Sequence, residues 1–336
     1  MIKRHMRCAI NPAVGDERFI HFGPAEKKHT VAIVGGGPAG LEAARIAALR
    51  GHTVTTFEKS NELGGAILCC CTVHGKNKMR WYADWIRQQC ARLGVAVKYE
   101  SVPKPEELKK FDVVLVAHGG TVTRPDIPGI DSERVCTFED VLRCRNTTCE
   151  YWPKGGKPAP AAVGDTVLIW GDHYGAVDSA EKLGMEGRKV IIVTEHKEFG
   201  LWVEPCHKDV MMKRFRGGQG EGLTSKTFDH PVTIIADSTI QEIRKDGVVV
   251  LINGRFERST IKVDSVVLAT VTADDGLYQS YRAAGLLVTR IGDAKKVRNL
   301  RGAVTDGANI GLTLDTGLQS NANGALISNL PTEMRG

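Results

Sequence analysis

The sequence has no apolar run approaching the roughly 20 residues that a membrane-crossing helix needs, so no membrane association is expected. Its start, Met1-Ile2-Lys3-Arg4-His5-Met6-Arg7-Cys8, is basic but lacks the apolar stretch of a secretory leader, and the expected location is cytoplasmic. None of the nine cysteines forms a Cys-x-x-Cys pair, and the contiguous Cys69-Cys70-Cys71 suits no tetrahedral metal site. An odd cysteine count argues for free thiols rather than a disulfide framework. No Ser-His-Asp, paired-carboxylate or His-x-x-x-His pattern is present, so no catalytic residue can be named. The net charge of +6 is spread among acids without a basic stripe, which speaks against nucleic acid as a partner.

What the sequence has is the material of two α/β domains. Its 336 residues, 42% hydrophobic and 25% charged, are enough for two buried cores. Residues 1–28 read as a turn-rich lead-in. Val31-Ala32-Ile33-Val34 then reads as a buried parallel strand, Leu41 to Leu49 as a helix stopped by Gly51, and Thr53 to Phe57 as the next strand. A second β-α-β pattern begins at Thr166-Val167-Leu168-Ile169-Trp170 and returns at Lys189 to Thr194. The Pro- and Gly-rich stretch Trp152 to Ala162 reads as the crossing between the two. The expected domains are 29–160 plus 286–336, and 161–285.

Between the first strand and helix lies Gly35-Gly36-Gly37-Pro38-Ala39-Gly40. Each glycine has a reason in a dinucleotide site. Gly35 permits the tight turn, Gly37 lets a diphosphate approach the backbone, and Gly40 lets helix and strand pack closely. The helix N-terminus that begins at Pro38 and Ala39 offers its free N–H groups, proline contributing none, to phosphate oxygens. Glu58, about 20 residues on, stands at the end of the next strand, where an acid accepts ribose hydroxyls. Ile291-Gly292-Asp293-Ala294 is a second strand-to-turn signal, with Gly292 allowing close approach and Asp293 accepting a hydroxyl. The expected cofactor-binding residues are Gly35, Gly37, Pro38, Ala39, Gly40, Glu58, Lys59, Gly65, Gly119, Gly292 and Asp293.

The second turn, Trp170-Gly171-Asp172-His173-Tyr174-Gly175, aligns less well, with Trp170 and Asp172 where the first two glycines belong. Glu195 reads as the ribose acid there, favouring NAD over NADP. The expectation for NAD(H) is weak binding or none. His118 and His173 read as replacements of small residues beside a phosphate or ribose.

Taken together, Cys8-Ala9-Ile10-Asn11-Pro12-Ala13-Val14-Gly15, Val34 to Arg45 and Ile291 to Ala294 resemble the C-terminal half of the multidomain old-yellow-enzyme group, the 2,4-dienoyl-CoA reductases and trimethylamine dehydrogenases. The resemblance implies an α/β fold of two Rossmann-like domains in the glutathione-reductase-like FAD/NAD(P) arrangement. It implies FAD, with ADP as the alternative ligand, and an oxidoreductase working with a separate FMN/[4Fe–4S] barrel partner in a hetero-oligomer. It also implies an electron-transfer flavoprotein as a redox partner in the trimethylamine dehydrogenase branch. Cys8 matches the last of that family's four cluster cysteines, and so stands as the fourth ligand of a shared [4Fe–4S] cluster. The competing reading is a nucleotide-binding scaffold or fragment without redox activity of its own.

Overall fold

Thr30–Val34 forms β1, and Val31, Ala32 and Ile33 in it are fully buried. A short apolar run covered on both faces is what a central parallel strand requires. The computed structural model describes residues 7–17, 20, 22–73, 75–143, 163–217 and 228–315. The Trp152–Ala162 stretch, Cys144 and Cys149 lie outside the described residues.

After β1 come α1 (Pro38–Leu49), β2 (Thr53–Phe57), α2 (Ile67–Cys70), α3 (Met79–Arg92), β3 (Ala96–Lys98), α4 (Pro105–Leu108), β4 (Val113–Val116) and β5 (Gly120–Val122). The middle of the chain gives β6 (Val135–Thr137), α5 (Phe138–Leu142), β7 (Thr166–Trp170), α6 (Tyr174–Met185), β8 (Lys189–Val193), α7 (Pro205–Phe215) and β9 (Thr233–Ile235). Then follow β10 (Ser238–Ile243), β11 (Val248–Asn253), β12 (Arg258–Lys262), β13 (Ser265–Leu268) and β14 (Val271–Ala273). Last are α8 (Gly276–Ala283), β15 (Val288–Arg290), a 3-10 turn at Gly292–Ala294, and α9 (Leu300–Thr313).

The chain divides into two units, one of Met1–Leu68, Arg80–Thr121 and Thr272–Gly336, the other of Cys69–Met79 and Val122–Val271. The first unit holds a five-stranded sheet in the order β15-β4-β1-β2-β3, every pair parallel. Its core includes Ala32, Val34, Phe57, Val114, Val116 and Tyr281. Helix α1 is buried on almost every side, including Leu41, Ala43, Ala44, Ile46 and Ala47. Small residues allow this, because α9 lies directly against it. A Cβ on Gly307 would stand 2.3 Å from the carbonyl oxygen of Ala39, and one on Gly311 would stand 2.9 Å from Ile46 Cβ.

The second unit repeats the plan with a parallel sheet β6-β13-β7-β8-β9 and adds an antiparallel sheet β10-β11-β12. Val167, Ile169, Val190 and Ile192 face α6. Leu168, Trp170, Ile191 and Val193 face the other way, onto Ile240, Val249 and Leu251 of the antiparallel sheet. Lys76 joins this unit through charge: its ammonium bonds Asp178 and lies 3.7 Å from Glu181, which also meets Arg214 at 2.8 Å. Mixed α/β architecture with two parallel sheets is therefore the fold class, as the sequence implies.

Several elements go unforeseen in the sequence, among them α5, α7, α8, α9, β6 and β12, and the packing explains α9. The glycines of α9 weaken a helical pattern, but they are what lets α9 approach α1. Replacing Gly307 with Ala should therefore cost about 1–3 kcal/mol, because the added methyl meets backbone rather than a movable side chain. Urea unfolding of the two proteins checks this, and an unchanged midpoint and slope for Gly307→Ala would contradict the packing described.

Candidate functional site

The candidate site is the turn from β1 into α1, at the carboxyl edge of the first sheet, where open α/β sheets bind their ligands. Gly35 has φ +115, a conformation that side chains rarely adopt, and its N–H donates to the Phe57 carbonyl at 2.8 Å. A Cβ there would lie 2.4 Å from Ala117 O and 2.7 Å from His118 Cα. Gly40 is as constrained, since its Cβ would fall 2.0 Å from Gly35 O. Both glycines are thus demanded by the fold.

Gly37 is different. It has ordinary extended dihedrals of φ −80 and ψ −177, and among the described residues the one neighbour that a Cβ would meet is Gly65 Cα at 4.0 Å. Neither strain nor packing within the protein requires glycine at this position. The space that its missing side chain leaves is bounded by Gly65, whose own φ is +54. Gly37 is also the N-cap of α1, and no side chain caps that helix start. The first N–H groups of α1, those of Ala39 and Gly40 ahead of the bond from Leu41 N to Gly37 O, therefore face an open cradle with the positive end of the helix behind it. This is a fit for a diphosphate: room, free donors and favourable field in one place.

Glu58, 6% exposed, follows β2. Its Oε2 accepts from Gly36 N at 2.8 Å, and its Oε1 accepts from Ser60 N and Ser60 Oγ, each at 2.9 Å. The carboxylate is thereby held in one orientation beside the loop. Lys59 is exposed next to it, and Gly119, with φ +88, follows β4 with open space around it. Gly292, with φ +61, comes so near to α1 that a Cβ would stand 2.8 Å from Ala39 Cβ. Asp293 Oδ1 accepts from Arg298 N at 2.9 Å. The structure thus brings Gly35, Gly37, Pro38, Ala39, Gly40, Glu58 and Gly65 around one loop and sets Gly292 against α1.

Cys8 is half-buried and within electrostatic reach of Tyr82, whose hydroxyl burial holds strongly protonated. Nearby, Glu42 is fully buried in a two-pronged pair with Arg45, at 2.9 and 2.6 Å. Among the described residues no three His, Cys, Asp or Glu side chains gather as a metal site. The ligands present do not by themselves fit an iron–sulfur cluster, which needs four. Cys69, buried in the second unit, has its thiol pushed up by burial even though Arg143 Nε lies 3.2 Å from its sulfur. Such a thiol stays protonated at neutral pH and is no nucleophile.

The second turn has a register that differs by one residue from the sequence expectation. Gly171 has φ +136, donates to Val193 O at 2.9 Å, and would bring a Cβ against Ala269 and Thr270. It is the counterpart of Gly35. Trp170 is the last residue of β7, the counterpart of Val34, and its ring fills the core instead of obstructing the turn. His173 is the N-cap of α6 and so the counterpart of Gly37, while Asp172 matches Gly36 and Ala176 matches Gly40. Gly175 answers to a different need, because a Cβ there would meet the Phe138 ring at 2.8 Å. Thr194, whose N–H bonds Ile235 O as that of Glu58 bonds Lys98 O, holds the ribose position, with Glu195 one residue beyond it. The NAD-over-NADP preference read from Glu195 therefore falls. Asp172 is 8% exposed, and its Oδ2 lies 2.7 Å from His196 Nδ1.

Comparison with known proteins agrees with this architecture. The family model described as "Pyridine nucleotide-disulphide oxidoreductase" matches residues 29–304. The chain is 31% identical over 311 residues to an NADH oxidase of Thermoanaerobacter brockii, covering 90% of this chain and 44% of that protein. It is 33% identical over 301 residues to a cinnamate reductase of Clostridium sporogenes, covering 88% of this chain and 41% of the relative. Among solved structures, a 2-naphthoyl-CoA reductase complexed with 2-naphthoyl-CoA superposes with a TM-score of 0.75 at 28% identity, covering 91% of this chain and 43% of that one. Histamine dehydrogenase from Rhizobium sp. 4-9 gives a TM-score of 0.70 at 25% identity, covering 92% and 48%. The chain thus spans less than half the length of these relatives, and over that span it belongs to the pyridine nucleotide-disulphide oxidoreductase family, matching the C-terminal half of the multidomain old-yellow-enzyme group.

Proposed function

We propose that the chain is the FAD-binding, electron-transferring part of an oxidoreductase whose FMN and [4Fe–4S] cluster belong to a barrel partner. The observation that carries this reading is Gly37. It is glycine where neither dihedral angle nor packing asks for one, at the uncapped start of α1. A ligand that must touch the backbone supplies the missing reason. Gly35 and Gly40 shape the turn, Glu58 takes ribose hydroxyls, and Gly292 with Asp293 closes the site from the β15 side. Lys59, Gly65 and Gly119 border the same ligand. FAD, once bound, supplies the electron-carrying chemistry of its ring system. Cys8 is then the fourth cysteine of the partner's cluster. Cys8→Ser should lower iron content in the assembled enzyme, and unchanged iron would remove Cys8 from that role.

The cradle leads to a direct test. A Cβ at residue 37 meets nothing nearer than Gly65 Cα at 4.0 Å in the free protein, so Gly37→Ala should fold normally and bind FAD at least tenfold more weakly, about 1.4 kcal/mol. Absorption near ~450 nm, where bound flavin contributes, reads the occupancy. Full flavin occupancy in the variant would overturn the placement. A colourless wild-type protein loaded with ADP would turn the reading to a nucleotide-holding scaffold.

The second unit takes nicotinamide dinucleotide weakly or not at all. His173 fills the position of closest diphosphate approach, Asp172 adds a largely buried carboxylate, and Thr194 leaves no acid for the ribose. An anion brought to such a carboxylate is disfavoured by several kcal/mol as an order of magnitude unless the carboxylate is protonated or paired, and His196, 2.7 Å away, is the neighbour that can pair it. NADH should therefore reduce the bound flavin slowly and incompletely in stopped-flow mixing, and the double variant Asp172→Gly, His173→Gly should speed it. Rapid stoichiometric reduction of the wild type would assign it instead to NADH-dependent reductases.

A further inference from the structure

Asp306 is a carboxylate that the cofactor reading leaves without a part. It sits in the middle of α9, where aspartate is a poorer helix former than alanine or leucine. Nor does the helix need it as a cap, because Asn299 accepts from Gly302 N at 3.0 Å and closes the start of α9 by itself. Its side chain is only 17% exposed. A largely covered carboxylate in a helix interior calls for partners, since an unpaired one is costly.

Both partners lie on the segment that follows β15. Asp306 Oδ2 accepts from Gly292 N at 3.0 Å and is paired with the Arg298 guanidinium. Arg298 in turn donates its backbone N–H to Asp293 Oδ1 at 2.9 Å. One carboxylate oxygen on α9 thus holds the residue before Asp293 directly, and reaches Asp293 itself through Arg298. The place so held is a tight one. Gly292 has φ +61, and a Cβ on it would stand 2.8 Å from Ala39 Cβ at the start of α1. The next residue of α9 serves the same place, because a Cβ on Gly307 would stand 2.3 Å from Ala39 O. Adjacent residues of α9 therefore fix the start of α1 by close packing and the Gly292–Asp293 turn by charge-assisted hydrogen bonds.

We propose that Asp306 is a positioning residue of the dinucleotide site, one that sets the Asp293 carboxylate against the start of α1 without touching the ligand. The proposal rests on the reading of the first unit as an FAD site. FAD carries hydroxyls in two places, on the ribose of its adenosine and on the ribityl chain at the flavin side of the diphosphate. With Glu58 on the ribose and the diphosphate at Gly37, the hydroxyls left for Asp293 are those of the ribityl chain. ADP has the ribose and the diphosphate but no ribityl chain. Hydrogen bonds between oxygens need a separation of about 2.5–3.0 Å, so a turn released from Asp306 loses the ribityl contact while the rest of the site keeps its own. Asp306 thus acts on FAD and not on ADP.

Calorimetric titration of nucleotide-free protein with FAD and, separately, with ADP tests this. Asp306→Ala should bind ADP as the wild type does and FAD about tenfold more weakly, the scale of one hydrogen bond to a charged group. Asp306→Asn keeps an acceptor for Gly292 N–H and should recover most of that loss. In the Asp293→Ala background, Asp306→Ala should cost little further FAD affinity, because two residues acting through one contact are not additive. Should Asp306→Ala fail to fold, Asp306→Ser takes its place in each measurement. A merely structural role gives equal losses for FAD and ADP, and the same cost in both backgrounds. Either result, or wild-type FAD affinity in the variant, overturns the proposal. If the wild type itself binds no FAD, the FAD reading fails, and this proposal with it.

Discussion

Three backbone segments converge at the end of β1, and the rest of the first unit is arranged around that convergence. The Gly35 carbonyl fills the space of a side chain at residue 40, and the Ala117 carbonyl fills that of a side chain at residue 35. Helix α1 can sit down on its sheet, and β4 can pair in register as far as Val116, because both side chains are absent. The second unit obeys the same constraint, with Gly171 against Ala269. What differs between the units is the residue that the constraint leaves free, glycine at 37 and histidine at 173.

The charges follow the same contrast. In the first unit the acid comes from the neighbouring strand, and Glu58 reaches back to the N–H of Gly36. In the second the acid rises from the loop itself, as Asp172, and meets a base from beyond the strand, His196. One arrangement holds a carboxylate beside an open cradle. The other sets a carboxylate and an imidazole against each other beside a helix start whose N-cap is His173.

Much of this was legible in the residues. The first β-α-β unit, its glycines and Glu58 read directly, and the bounds of β2 agree to the residue. The second turn misled because Gly175 stands near the expected spacing for a reason of its own, the Phe138 ring. The strands carried the correcting signal: Thr30-Val31-Ala32-Ile33-Val34 and Thr166-Val167-Leu168-Ile169-Trp170 match position for position, which puts Trp170 inside the strand. Helix α9 stayed hidden because glycine lowers helix propensity on its own, and nothing local tells that Gly307 answers to a distant helix. The bond from Gly292 N to Asp306 depends on how α9 folds back on the turn, which sequence pattern does not encode.

The open space at Gly37 also bears on folding. A glycine there gives the unfolded chain freedom that the folded protein must surrender, and no internal contact repays it. Because φ at this residue suits any amino acid, that freedom is surrendered for a reason outside the chain's own packing. A ligand held against the bare backbone there would offset the loss by mass action.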